Sequence, residues 1–215
     1  MVEVWLADPA QVADLAACED VLDADELERA RAFHFDRHRR EYVVSHALVR
    51  HALSHHDGRP PRAWRFVRNR HGRPAAFDAR ELAFNLATHP TLVACAIARR
   101  DEIGVDVEPI ARGAQILALA PCVFARGELA ELAALDAGAA RDRAVSLWTL
   151  KEAYIKARGL GLALGLDTFS IRFDPLAVEA HDGARWQLRT LDVAGHRIAL
   201  AFAGSLHEVR TLWVR

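Results

Sequence analysis

Two stretches decide how this chain is read: Gly104-Val105-Asp106-Val107-Glu108, and residues 148–162, WTLKEAYIKARGLGL. The first alternates apolar and acidic residues, the period of a strand, so Asp106 and Glu108 fall on one face about 6.6 Å apart along the chain. That spacing suits one hard cation. The second has helical spacing closed by Gly159, with Glu152 and Lys156 one turn apart on the same side. A third carboxylate and an ammonium are thereby offered to the same ion. Singly, each stretch has a plain explanation. Val-Asp-Val-Glu is the pattern of any half-buried strand, and Glu four residues before Lys stabilises an exposed helix by about 0.2–0.5 kcal/mol. The conjunction is what is specific.

Around these stretches the periodicity predicts an α+β chain. A strand is expected at 2–6, one or two helices at 25–54 and a short strand at 63–67, with turns at 57–61 and 69–74. Strands follow at 82–86, 92–98 and 103–108, helices at 115–119, 128–135 and 141–158, then strands at 169–173, 186–191, 197–203 and 208–214. Helix plus strand is given twice. Residues 91–98, TLVACAIA, and 197–204, RIALAFAG, echo one another late in each series. A boundary near residues 100–102 gives an N-terminal half, 1–101, and a C-terminal half, 102–215.

Composition narrows the classes. With 215 residues, 52% hydrophobic and 27% charged, the chain is long enough for a full core and has ordinary soluble-protein make-up. A net charge of -1 lends no global support to nucleic-acid binding. Cys18, Cys95 and Cys122 are odd in number and widely spaced, against both a disulfide framework and a thiolate zinc site. The start, Met1-Val2-Glu3-Val4-Trp5, has no basic region followed by an apolar core, and no apolar run approaches a bilayer span. A cytoplasmic protein without membrane or nucleic-acid partners is expected. His34 and His38, and His51 and His55, are spaced i,i+4 and could each make half of a metal site, as in a metal-dependent hydrolase. No HExxH motif is present and no helix-borne carboxylate accompanies both pairs, so solvated basic helix faces are the reading preferred.

Taken together, the two stretches resemble the 4'-phosphopantetheinyl transferases, in particular their larger, pseudo-dimeric type that serves secondary-metabolite synthetases. The family pattern is a G-[IV]-D-[VIL]-E strand followed by W-[ST]-x-K-E-A-x-x-K and a Gly-rich turn. Residues 33–50 are similar to its N-terminal helix, His71-Gly72-Arg73-Pro74 to its G-[KR]-P turn, and Phe84-Asn85-Leu86 to its strand before a Ser-His pair. The resemblance implies two similar α+β halves related by a pseudo-twofold axis, with the active site in the cleft between them. It implies a monomer that transfers 4'-phosphopantetheine from coenzyme A to a serine of an apo acyl or peptidyl carrier protein, releasing adenosine 3',5'-bisphosphate.

Site residues follow from the same resemblance. Asp106, Glu108 and Glu152 would hold Mg2+, with Mn2+ as a substitute. Lys151 and Lys156 would contact phosphate oxygens as the bridging oxygen leaves, with Asp106, Glu152 and Lys156 forming the catalytic set. The base for the serine is open between Glu152 and a hydroxide on the ion. Arg29, Arg73 and Pro74 match coenzyme contacts, while Glu26 stands where the family has a lysine that Arg31 could replace. Thr88 falls at the family's phosphate-binding histidine and His89 one place later, so His89 serves only if the strand bends there, which Pro90 would allow. Leu160, Leu162 and Leu164 are expected either at the carrier-docking surface or in the core. An inactive module that binds coenzyme A or a carrier without transfer is the non-enzymatic alternative.

Overall fold

The computed structural model describes residues 1–79, 81–99, 102–180, 185–204 and 208–214. Strand β1 (Val2–Ala7) opens the chain. Helix α1 (Leu15–Asp20) begins at Asp14, whose carboxylate accepts the Ala17 amide at 2.9 Å. Helix α2 (Ala24–Arg31) begins at Asp23 in a reciprocal capping box with Glu26. Helix α3 (Asp36–Asp57) is stopped by Gly58 at φ 77°. A short hairpin, β2 (Phe66–Arg68) and β3 (Pro74–Ala76), precedes a long one, β4 (Leu82–His89) and β5 (Leu92–Arg99).

The same series then recurs. Strand β6 (Ile103–Pro109) leads to α4 (Gly113–Val123), α5 (Arg126–Ala133) and the long α6 (Ala137–Arg158). Asp136 caps α6 by accepting the Gly138 and Ala139 amides, and Gly159 closes it at φ 64°. A short hairpin, β7 (Ser170–Phe173) and β8 (Leu176–Glu179), again precedes a long one, β9 (Trp186–Val193) and β10 (His196–Ala203), and β11 (Val209–Trp213) ends the chain. The fold is α+β. Among the described residues no helix is long and apolar enough to cross a membrane.

Two compact units result, one of residues 1–70, 74–79, 81–99 and 208–214, the other of 71–73, 102–180 and 185–204. The first has the sheet order β11-β1-β5-β4 with α3 packed on it, the second β6-β10-β9 with α6 packed on it. The two echoing segments are β5 and β10, the buried central strands of their sheets. Where the boundary at 101/102 assigned the last strand to the C-terminal half, β11 instead pairs in parallel with β1. Three short elements, α1, β3 and β8, were not expected, since six, three and four residues carry too little periodicity to register.

Gly104 shows why the strand motif starts as it does. A Cβ there would lie 2.0 Å from the Ala153 carbonyl oxygen and 2.4 Å from the Ala157 amide. Only glycine lets β6 lie this close on α6. Two residues later the same close approach brings Asp106 to the face of α6 that carries Lys156.

Candidate active site

In the second unit, Asp106 and Glu108 lie on β6, only 7% and 8% exposed, so their face is not the solvated one of a plain amphipathic strand. Asp106 Oδ1 accepts from Lys156 Nζ at 2.7 Å, while Asp106 Oδ2 is buried without a hydrogen-bond partner among the described residues. Glu152, one turn before Lys156 on α6, is half-buried and makes no hydrogen bond or ion pair among the described residues. Burial first, then the Asp106 charge, raise the Glu152 carboxyl above its ordinary value, against the pull of Lys156. Burial and Asp106 likewise raise Glu108. The Asp106 charge thus disfavours charge on both glutamates. That repulsion is what a cation would relieve.

Glu108 differs from the other two in being occupied. Arg112 donates to its Oε2 at 2.5 Å and the Trp148 indole to its Oε1 at 3.0 Å. Among the described residues no three His, Cys, Asp or Glu side chains are gathered as a ready ion site. The open acceptors are Asp106 Oδ2 and the Glu152 carboxylate. They fit a hard cation held first by this pair, with Glu108, which has one donor on each oxygen, able to join through its remaining lone pairs. Sequence reasoning missed both donors. Trp148 was inside the quoted stretch and Arg112 stands four residues after Glu108, so both were visible, but the bends that aim them were not.

Lys151 is corrected. It was expected on a phosphate, yet it is completely buried and all three of its N–H bonds are used, on Glu128 Oε2 at 2.8 Å, the Leu166 carbonyl at 2.7 Å and the Phe169 carbonyl at 2.6 Å. Burial lowers its pKa, with Glu128 opposing. Glu128, itself 2% exposed, also accepts the Ala125 and Ile171 amides. This pair therefore ties α5, α6 and the chain leading into β7. On a helix, residues 151 and 156 are five apart and do not share a face, so Lys156 can reach β6 while Lys151 points to the other side. Arg73 also does structural work here, donating to the Ala157 carbonyl and, at 2.9 Å, to the Ile103 carbonyl. Leu164 packs on the core of this unit, and Leu160 is half-buried.

The other candidates are in the first unit, around a cavity of about 230 Å³ under α2 and α3. Arg29 and Pro74 line it, with Tyr42, His46, Phe66 and Phe84 among its walls. Glu26 lines it too, but its carboxylate is taken by the buried Arg50, at 2.9 and 2.6 Å, and by the capping box. Pairing of β4 with β5 continues in register through Thr88↔Val93 and His89↔Leu92. The bend that His89 needed does not occur. Alternation puts Thr88 on the face of Phe84 and Leu86, both of which line the cavity, and His89 on the other face, where its Nδ1 lies 2.8 Å from Thr91 Oγ1. Of the histidine pairs, His34 precedes α3, so it and His38 are not on one helix, and His51 and His55 are exposed.

Residues 102–202, from β6 to β10, match the family model of the 4'-phosphopantetheinyl transferase superfamily. HetI, a 4'-phosphopantetheinyl transferase of Nostoc sp., is 33% identical over 157 residues, covering 72% of this chain and 65% of HetI. Sfp, a 4'-phosphopantetheinyl transferase of Bacillus subtilis, is 30% identical over 154 residues, covering 70% of this chain and 66% of Sfp. The chain thus spans just under two thirds of the length of these curated relatives. A holo-(acyl-carrier-protein) synthase from Bacillus anthracis, solved in complex with CoA (3',5'-ADP), matches with a TM-score of 0.43 and 18% identity, covering 47% of this chain and 94% of that one. The chain belongs to the 4'-phosphopantetheinyl transferase superfamily.

Proposed function

We propose that this protein transfers 4'-phosphopantetheine from coenzyme A to a serine of an apo acyl or peptidyl carrier protein, in a magnesium-dependent reaction that releases adenosine 3',5'-bisphosphate. The observation that carries the proposal is the buried, unpartnered oxygen of Asp106 beside Lys156 and Glu152. Magnesium, bound through Asp106 and Glu152 and joined by Glu108, would supply charge neutralisation at the diphosphate. Lys156, half-buried on the neighbouring turn of α6, holds a positive charge where leaving-group charge would develop. Glu152, its carboxyl raised by burial and by Asp106, is suited to hold the serine proton. Trp148 and Arg112 keep the third carboxylate oriented.

Arg29, Pro74 and Thr88 would meet the nucleotide end of the coenzyme, with Thr88 rather than His89 on the cavity face. Two similar halves about a pseudo-twofold axis, as in the Sfp-type enzymes, belong to the same proposal, and the recurrence of one element series in both units supports it. So do a monomeric state, a cytoplasmic location, a carrier of secondary metabolism and the absence of nucleic-acid and membrane partners, which rest on the resemblance and on composition. The test is the mass of several apo carriers after incubation with the protein, magnesium and coenzyme A. A gain of one phosphopantetheine is expected; no gain with any carrier while coenzyme A still binds would favour a binding module.

A further inference from the structure

One residue lining the cavity of the first unit has its hydrogen-bonding role set by its surroundings. His46 stacks on Tyr42, one turn earlier on α3, with ring centroids 3.9 Å apart and planes 29° apart. Its Nδ1 lies 2.9 Å from the Tyr42 carbonyl oxygen. A carbonyl oxygen only accepts, so Nδ1 is the protonated nitrogen. Burial lowers the pKa of the ring, outweighing the nearby Glu26 charge, and so favours the neutral form. In that form Nε2 carries a lone pair and no proton, and it makes no hydrogen bond among the described residues.

The Arg50 guanidinium beside the ring does not compete for that lone pair. Glu26 on α2 is already bonded to Arg50 of α3, and Arg50 is spent on Glu26, Asp23 and two carbonyls. Arg68 of β2 further disfavours a positive charge on the ring. The cavity walls combine the rings of Tyr42, Phe66 and Phe84 with charged side chains, and at about 230 Å³ it is smaller than the roughly 300–1,000 Å³ of sites for whole ligands. It suits one planar end of a larger molecule.

We propose that His46 is a specificity-determining residue, whose Nε2 accepts a hydrogen bond from an exocyclic amine of a planar base in this cavity and so selects an aminopurine over an oxopurine. This rests on the coenzyme A reading above. An oxo group in the same place would set lone pair against lone pair, and the ring cannot switch tautomer without losing its bond to Tyr42. Asp25 also lines the cavity as a further acceptor, and Arg29 and Arg68 line it as donors.

The test is calorimetric binding of adenosine 3',5'-bisphosphate and inosine 3',5'-bisphosphate to the protein and to its His46→Phe and His46→Gln variants. The unaltered protein should favour the adenosine compound by about tenfold or more. His46→Phe keeps a ring against Tyr42 and should bring the ratio close to one. His46→Gln, whose amide can present either an acceptor or a donor, should also reduce it. Equal binding of both compounds to the unaltered protein, or an undiminished preference in both variants, overturns the assignment while leaving the coenzyme reading intact. Binding of neither compound overturns both.

Discussion

Lys151→Met separates a structural lysine from a phosphate contact. The substitution keeps the length of the side chain and removes a charge that is completely buried and bonded to Glu128 and two carbonyls. Breaking a buried ion pair from one side costs about 3–5 kcal/mol, because the remaining charge is left in a low dielectric. Glu128 keeps the Ala125 and Ile171 amides, at 2.8 and 2.7 Å, which places the expected loss near the lower end of that range. For a chain of this size each kcal/mol moves the melting midpoint by roughly 2–4 °C, so a fall of about 6–12 °C is expected.

Urea unfolding followed by circular dichroism gives the midpoint and slope, and calorimetry gives coenzyme A affinity below the transition. The variant should lose stability at unchanged slope and bind coenzyme A within a fewfold of normal while folded. Adding Glu128→Gln should recover part of the loss, since the stranded charge is then gone. A Lys151→Met protein within 0.5 kcal/mol of normal, with coenzyme A affinity reduced tenfold, would refute the structural assignment and return Lys151 to the phosphates.

Gly104→Ala should destabilise by about 3 kcal/mol or more, since its Cβ would meet backbone atoms of α6 at 2.0 and 2.4 Å; a urea midpoint close to normal would mean that β6 and α6 do not pack this closely. Glu152→Gln should abolish the magnesium-dependent rise in melting temperature while leaving the metal-free protein as stable or more so, because it removes a charge that burial and Asp106 disfavour; a retained magnesium effect would place the ion elsewhere. His56, lowered chiefly by burial, is held neutral by folding, so its contribution is present above about pH 6.5 and lost as pH falls through its folded value. The stability advantage of the protein over His56→Gln should accordingly shrink between pH 7.5 and 5.5, and a difference constant with pH would contradict this.

Long elements were legible because their periods repeat and their ends are marked. Asp136 and Gly159 bracket α6, and Gly58 closes α3, by chemistry that needs only local chain. The acidic strand and the Glu152/Lys156 turn were legible for the same reason. What the sequence hid was direction around the helix axis relative to the rest of the fold. Lys151 and Lys156 read as equivalent cations along the motif, yet they are on different sides of α6, one closing on Glu128 and the other on Asp106. The register of β4 was hidden as well, since Pro90 permitted a bend at His89 and only the continued pairing with β5 excludes it. β11 could not be placed because strand pairing across the whole length of a chain leaves no local signal.

The repeated series also bears on why the candidate ion site is in one unit and not in the other. Counting back from the glycines that close α3 and α6, His51 and His55 occupy the places of Glu152 and Lys156, and the buried acid on the first strand of the first unit is Glu3 on β1. In the first unit the acid is closed off: Trp5 donates to Glu3 at 3.2 Å and His56 Nε2 lies 3.0 Å from the same oxygen. In the second, Lys156 takes one oxygen of Asp106 and leaves the other open, with Glu152 beside it. Replacing a carboxylate by an imidazole at the helix position removes the second negative ligand, so the like-charge crowding that calls for a cation in the second unit has no counterpart in the first. The same backbone series thus supports a closed-off buried acid in one place and an unsatisfied acidic pair in the other, and it is the unsatisfied pair to which the proposed chemistry is assigned.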